Sequence, residues 1–189
     1  MAFRALRSKT VRWQPAHGIG LEHLTVRADK DAIVARSVTI GEFEGKRFGV
    51  HYTVVCDKSW TVRKLALETS DGRRIGFASN GRGRWTDDKR RRRPEFDGCI
   101  DIDLSGSPFT NTLPIRRLNL GRKHGPVEFS MLWVPFDSFE PFVDGQRYTC
   151  LESGRLYRFE AIDGSFTADL PVDADGFVLD YPTLFKRVE

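Results

Sequence analysis

Long apolar runs are missing from this 189-residue sequence, and no stretch approaches the ~20 residues that a helix needs to cross a bilayer. Met1 to Gln14 carry Arg4, Arg7, Lys9 and Arg12, yet no apolar run of signal-peptide length follows them. Secretion is therefore not expected, and a cytoplasmic location is. Cysteine is sparse: Cys56, Cys99 and Cys150 are odd in number and far apart, and no pair has redox-motif or metal-ligand spacing. They read as buried, reduced thiols. The histidines His17, His23, His51 and His124 are equally dispersed, so neither a metal nor a cofactor is expected. A Gly-x-Ser-x-Gly elbow is absent, which disfavours an α/β-hydrolase. Gly81-Arg82-Gly83-Arg84 lacks the third glycine, the Gly-Lys-Ser/Thr ending and a following helix of the phosphate-binding loops, and reads as a loop tip.

Charge of one sign is also nearly absent once position is considered. The formal charge is +4, but Lys89, Arg90, Arg91, Arg92 and Arg93 form one block, and without it the balance is −1. A binder of nucleic-acid backbones should spread its cations over a face or groove, so specific nucleic-acid binding is not expected. The block reads as an exposed loop, with peripheral contact to an anionic membrane as its functional alternative. At 40% hydrophobic and 12% aromatic residues the chain is neither disordered nor low in complexity. Its length suits one domain over residues 1–189, large enough to bury a core without staples. No repeat or linker divides it.

What is present is period-two alternation. Phe48, Val50, Tyr52, Val54 and Cys56 share one face of a predicted strand, with Arg47, His51 and Thr53 on the other. Ile100, Ile102 and Leu104 alternate with Cys99, Asp101 and Asp103. Thr61–Thr69, Leu156–Ile162, Ser165–Leu170 and Gly176–Tyr181 behave similarly, with the first less regular. Asp-Gly pairs at 71–72, 97–98, 144–145, 163–164 and 175–176 supply turn chemistry, and Ile162-Asp163-Gly164-Ser165 is the best hairpin. Many short strands joined by turns predict an antiparallel sheet that curls or closes. One helix is expected over Thr110–Leu120. Thr110 or Asn111 would cap it, Pro114 fits its first turn, and Gly121 would end it.

Asp101 and Asp103 lie two apart on a predicted strand, so they share a face with Cα atoms about 6.5–7 Å apart. That spacing compares with the carboxyl pairs of some glycosidases. The plainer readings are a solvated face or pairing with Arg116 or Arg117. Trp13, Trp60, Trp85, Trp133, Tyr148, Tyr157 and Tyr181 could stack on sugars or line an acyl pocket, although core packing explains most such residues. Trp85, beside Arg84 in a polar loop, fits core packing least well.

Three stretches together resemble the putative glycolipid-binding family, formerly a domain of unknown function. The first runs Gly98-Cys99-Ile100-Asp101-Ile102-Asp103-Leu104-Ser105 into Pro108-Phe109-Thr110-Asn111-Thr112-Leu113-Pro114-Ile115-Arg116-Arg117-Leu118. The second runs from Gln146-Arg147-Tyr148-Thr149 through Tyr157-Arg158-Phe159-Glu160. The third is Phe166-Thr167-Ala168-Asp169-Leu170-Pro171-Val172-Asp173 with Gly176-Phe177-Val178-Leu179-Asp180-Tyr181-Pro182-Thr183-Leu184-Phe185. The resemblance covers nearly the whole chain and implies a spiral β-roll: a long antiparallel sheet wrapped around a single helix near residues 110–120, often as a homodimer. It also implies a role in binding or metabolism of glycolipids, and brings no catalytic residue with it. The Lys89–Arg93 block lies outside the family pattern.

These observations nominate a ligand-binding set: Arg84, Trp85, Asp101, Asp103, Thr110, Asn111, Arg116, Tyr148 and Tyr157. Carboxylates and amides suit sugar hydroxyls, which donate and accept at once. An arginine suits a phosphate or carboxylate on a lipid head group. Asp101 could instead bond the helix start or pair with Arg116. The competing readings are a hydrolase or isomerase of sugar conjugates using Asp101 and Asp103, and a dimeric structural protein joined through a sheet edge.

Overall fold

The computed structural model describes residues 3–43 and 45–189, the side chain of Phe43 excepted; Met1, Ala2 and Glu44 lie outside it. In chain order the strands are β1 (Ser8–Pro15), β2 (Leu21–Ala28), β3 (Ile33–Phe43), β4 (Lys46–Cys56), β5 (Val62–Thr69), β6 (Arg74–Ser79) and β7 (Trp85–Asp87). There follow β8 (Asp101–Leu104), helix α1 (Thr112–Arg117), β9 (Val127–Val134), β10 (Phe142–Glu152), β11 (Leu156–Ala161), β12 (Thr167–Pro171), β13 (Asp180–Tyr181) and β14 (Phe185–Val188). The described strands form a nine-stranded sheet, ordered β13-β14-β1-β2-β3-β4-β5-β6-β7, and a five-stranded sheet, ordered β12-β11-β10-β9-β8. The mainly β fold with one short α-helix agrees with the sequence reading. The exception to antiparallel pairing is β8 with β9, which run parallel, because the helical segment between them returns the chain to the same end of the sheet.

Alternation fixes which face is core. On β2, Glu22, Leu24 and Val26 are buried; on β4, Val50, Tyr52, Val54 and Cys56 are. Together with Trp13, Leu65, Phe77 and Trp85 they pack against Ile102, Leu104, Leu132 and Val134 of the smaller sheet. A second cluster lines the other face of that sheet, where Met131, Tyr148, Tyr157 and Leu170 meet Ile115 and Leu120 from the helical segment. Strands β8 and β9 are therefore covered on both sides. The outward faces of β10–β12 carry ion pairs instead, such as Arg158–Asp169 at 2.7 Å.

The Asp163-Gly164 hairpin forms as expected: Gly164 has φ +75° and the Ala161 N–H donates to the Phe166 carbonyl at 2.9 Å. The helix is shorter than Thr110–Leu120. Pro108–Asn111 is a 3-10 turn, with the Ser107 hydroxyl accepting from the Phe109 N–H at 3.2 Å. Only Thr112–Arg117 is α-helical, and Asn119 takes a left-handed φ of 45°, so the helix stops before Gly121.

Trp85 corrects the sequence reading most clearly. It is fully buried, and its indole N–H donates to the Cys99 carbonyl at 2.7 Å. The polar residues around it hid this, because Arg84 points to solvent while Trp85 points inward. Gly83 explains the glycines of this loop: it has φ +76°, and a Cβ there would sit 3.0 Å from the Gly98 backbone. The basic block is also largely committed. Arg91 pairs with Asp87 at 2.6 Å, Arg92 with Asp97 at 2.8 Å and Arg93 with Glu95 at 2.6 Å. Arg93 also lies over the rings of Phe77 and Phe96.

Candidate functional site

Six of the nine nominated residues lie where the concave face of the smaller sheet meets the helical segment. Strand β8 turns Ile102 and Leu104 toward the large sheet, which sends Asp101 and Asp103 toward the helix. The two aspartates do share a face, but it is an interior one; Asp101 is 1% exposed. A parallel edge strand covered on both faces leaves no solvated side for Asp101, whereas Asp103 is half-buried.

The partner of Asp101 is Arg117, not Arg116. The Arg117 Nε donates to both carboxylate oxygens at 3.1 Å, and Nη2 donates to Oδ2 at 2.6 Å. Burial pushes the Asp101 carboxyl up, and the bonds and charge of Arg117 oppose the rise. Arg116, one position along the helix, donates to the carbonyls of Arg4 and Asp175 at 3.0 and 3.1 Å and lies over the Trp60 and Phe3 rings. Its burial lowers its pKa, against the pull of Asp175 and Asp173.

Asp103 organises the rest. Thr110 donates to its Oδ1 at 2.6 Å, and the Gln146 amide donates to its Oδ2 at 2.7 Å. The Gln146 amide also reaches Asp144 at 3.3 Å. Burial raises the Asp103 pKa; the Thr110 and Gln146 bonds lower it, and the charge of Asp144 raises it further. Asn111 accepts a 2.7 Å bond from the Tyr148 hydroxyl, and its own amide donates to the Pro108 carbonyl at 3.2 Å. Two buried oxygens in this region, Gln146 Oε1 and Thr112 Oγ1, have no hydrogen-bond partner. Beside the cluster, Trp133 pairs in register with both Asp103 and Phe142, and the Trp133 and Phe142 rings are 6.4 Å apart. Asp103, Asp144 and Trp133 are half-buried, and Phe142 is exposed. The arrangement is therefore two carboxylates, an amide with a spare acceptor and an aromatic pair at the edge of a packed interior.

The remaining nominated residues stand apart. Tyr157 donates to the Leu120 carbonyl at 3.0 Å and stacks on Phe3. Phe3 lines a surface depression of about 730 Å³ with Arg4, Arg155 and Val172. Trp85 opens β7 of the large sheet and packs in its core, and Arg84 before it is exposed; neither makes a hydrogen bond or ion pair with Asp103. Gln146 and Asp144 were missed from the sequence, although alternation with Tyr148 and Cys150 places both on the inner face of β10. Glu22 was missed as well. It is 2% exposed within the large sheet, and its Oε1 accepts from Tyr52 at 2.6 Å, Ser37 at 2.8 Å and Ser107 at 2.9 Å. The apolar partners of Glu22 on β2, Leu24 and Val26, were the available signal.

Fold and site together define a curved β protein with a short helix held in the smaller sheet and polar groups gathered where the two meet. The family model described as putative glycolipid-binding matches residues 10–187, and the chain belongs to that family. A crystal structure of a DUF1089 family protein from Pseudomonas aeruginosa is similar at 36% identity and a TM-score of 0.80, covering 92% of this chain and 94% of that one. No curated protein matches. Among the described residues no helix is long and apolar enough to cross a membrane.

Proposed function

We propose that the protein binds an amphiphilic sugar-lipid, with the sugar recognised at Asp103, Asp144 and Gln146 and the adjoining apolar portion against Trp133 and Phe142. Family membership over residues 10–187 supports the ligand class. The observation that carries the location is Gln146, whose amide nitrogen reaches both carboxylates while its oxygen lacks a partner, on the strand that also carries the exposed Phe142. Sugar hydroxyls donate to carboxylates and amide oxygens, and the apolar faces of sugar rings stack on aromatic side chains.

The hydrolase reading receives no such support. Asp101 has both oxygens held by Arg117, which is the geometry of a structural ion pair and does not leave that carboxylate free to attack or to shuttle a proton. Binding is tested by mass spectrometry of organic extracts from natively purified protein beside an unrelated control, with Asp144→Ala and Trp133→Ala compared with the parent. The expected result is a glycolipid enriched in the parent and depleted in both variants. A ligand retained equally by both variants would sink the location. Failure of titrated glycolipids to shift any amide resonance of the parent would sink the function.

A further inference from the structure

The outer face of the large sheet differs from the rest of the surface. Side chains alternate, so the strands that bury Trp13, Glu22, Thr39 and Val50 present their intervening residues outward. One outward row runs Arg12, His23, Val38 and His51 across β1–β4, as the register shows. In the next row Thr25 pairs with Arg36, and Arg27 pairs with Val34 in the row beyond. A groove of about 360 Å³ lies among His23, Arg27, Arg36, Val38 and His51. Across β1–β4 this face holds four arginines, Arg12, Arg27, Arg36 and Arg47, and two histidines. Arg47 engages Glu42 at 3.3 Å near the β3–β4 turn, and Glu68, in register with His51 on β5, is held by Arg74 at 2.7 Å.

Beside the cations lies an aliphatic tip. Leu21 and Ile40 are directly paired, Val38 follows on the same face, and Ile19 precedes them in the β1–β2 loop. Ile19 is 89% exposed, Val38 57% and Ile40 55%. Large aliphatic side chains this open, contiguous and bordered by cations form an amphipathic surface.

We propose that the outer face of β1–β4 docks on an anionic lipid bilayer, with Arg12, Arg27 and Arg36 against the head groups and Ile19, Val38 and Ile40 entering the acyl boundary. Anionic leaflets attract basic residues near their surface, and exposed aliphatic groups add insertion. A nucleic acid would use the cations but not the aliphatic tip, and among its described residues this face carries no Phe, Tyr or Trp for base stacking. A second copy placed face to face would bring arginine against arginine. The Lys89–Arg93 block is a weaker candidate, since three of its arginines are ion-paired. The proposal needs no internal ligand and stands independently of the sugar-lipid reading.

The test is sedimentation of the intact protein with phosphatidylcholine vesicles, with and without phosphatidylglycerol, at low and raised salt. Binding is expected only with phosphatidylglycerol present, and weaker at raised salt. Arg27→Gln with Arg36→Gln should weaken partitioning about thirty-fold, each cation contributing about five-fold. Val38→Ser with Ile40→Ser should weaken it while leaving the salt dependence in place. Lys89→Gln with Arg90→Gln should change nothing. All these side chains are exposed, and circular dichroism verifies that each variant is folded. The proposal is overturned by no binding to phosphatidylglycerol vesicles, by binding indifferent to the Arg27 and Arg36 changes, or by equal loss in the Lys89 and Arg90 variant. Preferential binding to a single-stranded oligonucleotide, or an arginine-dependent dimer in sedimentation equilibrium, would overturn it too.

Discussion

Replacing Glu22 with Gln should flatten the pH dependence of stability. Burial raises the Glu22 carboxyl from 4.5 to about 7, even though hydrogen bonds from Tyr52, Ser37 and Ser107 favour the ionised form. Below pH 4.5 the carboxyl is protonated in both folded and unfolded chains. Between 4.5 and about 7 only the folded chain holds the proton, so raising the pH favours unfolding; above about 7 both are ionised and the contribution is constant. At ~1.4 kcal/mol per tenfold change in proton affinity, the parent loses roughly 3 kcal/mol across this window through Glu22 alone. Glutamine has no charge to desolvate, although its amide nitrogen would replace an oxygen that already lacks a partner. The absolute stability of Glu22→Gln at one pH therefore mixes two effects, and the slope isolates the titration. Urea unfolding at several pH values from 5 to 8 measures it. Parallel curves for parent and Glu22→Gln would refute the buried, proton-binding carboxyl. Tyr52→Phe provides a second check: losing its 2.6 Å bond should raise the Glu22 pKa further and extend the descending part of the curve to higher pH.

Arg117→Gln leaves the buried Asp101 carboxylate without its cation and should cost about 3–5 kcal/mol, read from the urea midpoint. Trp85→Ala should cost about 3–5 kcal/mol, while Trp85→Phe should cost about 1–3 kcal/mol, because it keeps most of the volume but orphans the Cys99 carbonyl. Burial pushes the Cys56 and Cys99 thiols up, the latter to about 11, so neither should react with an aromatic disulfide reagent until the protein is unfolded in guanidinium. Gly83→Ala should lower the melting temperature, since its Cβ would press on Gly98 from a left-handed backbone.

The strands were legible because their apolar residues recur every second position. The turns at Asp71-Gly72 and Asp163-Gly164 were legible because Asp-Gly chemistry is local, whereas Asp144-Gly145, expected as a turn, lies within β10 in register with Met131 and Ser130. The helical segment was legible only in part: Thr110 and Asn111 look like caps, but Ser107 and Pro108 start a tighter turn that places their side chains on Asp103 and Tyr148. Which arginine meets Asp101 depends on helix rotation against β8, and sequence spacing cannot distinguish Arg116 from Arg117 at that level. The parallel pairing of β8 with β9 is likewise a tertiary outcome. Glu22 and Gln146 were visible as polar residues in otherwise apolar half-periods, and such interruptions are where an alternating pattern carries more than core packing.

The sheet order has a consequence for synthesis. Strand β1 lies between β2 and β14, and the Trp13 indole donates to the Val178 carbonyl at 2.9 Å. A nascent chain can form the β2–β7 meander early, but one side of β1 has no strand to pair with until residues 185–188 emerge. Until then, an open edge and an uncovered tryptophan persist, the combination on which chaperone capture and strand-edge aggregation act. Removing those last residues would leave the finished protein in the same exposed condition permanently.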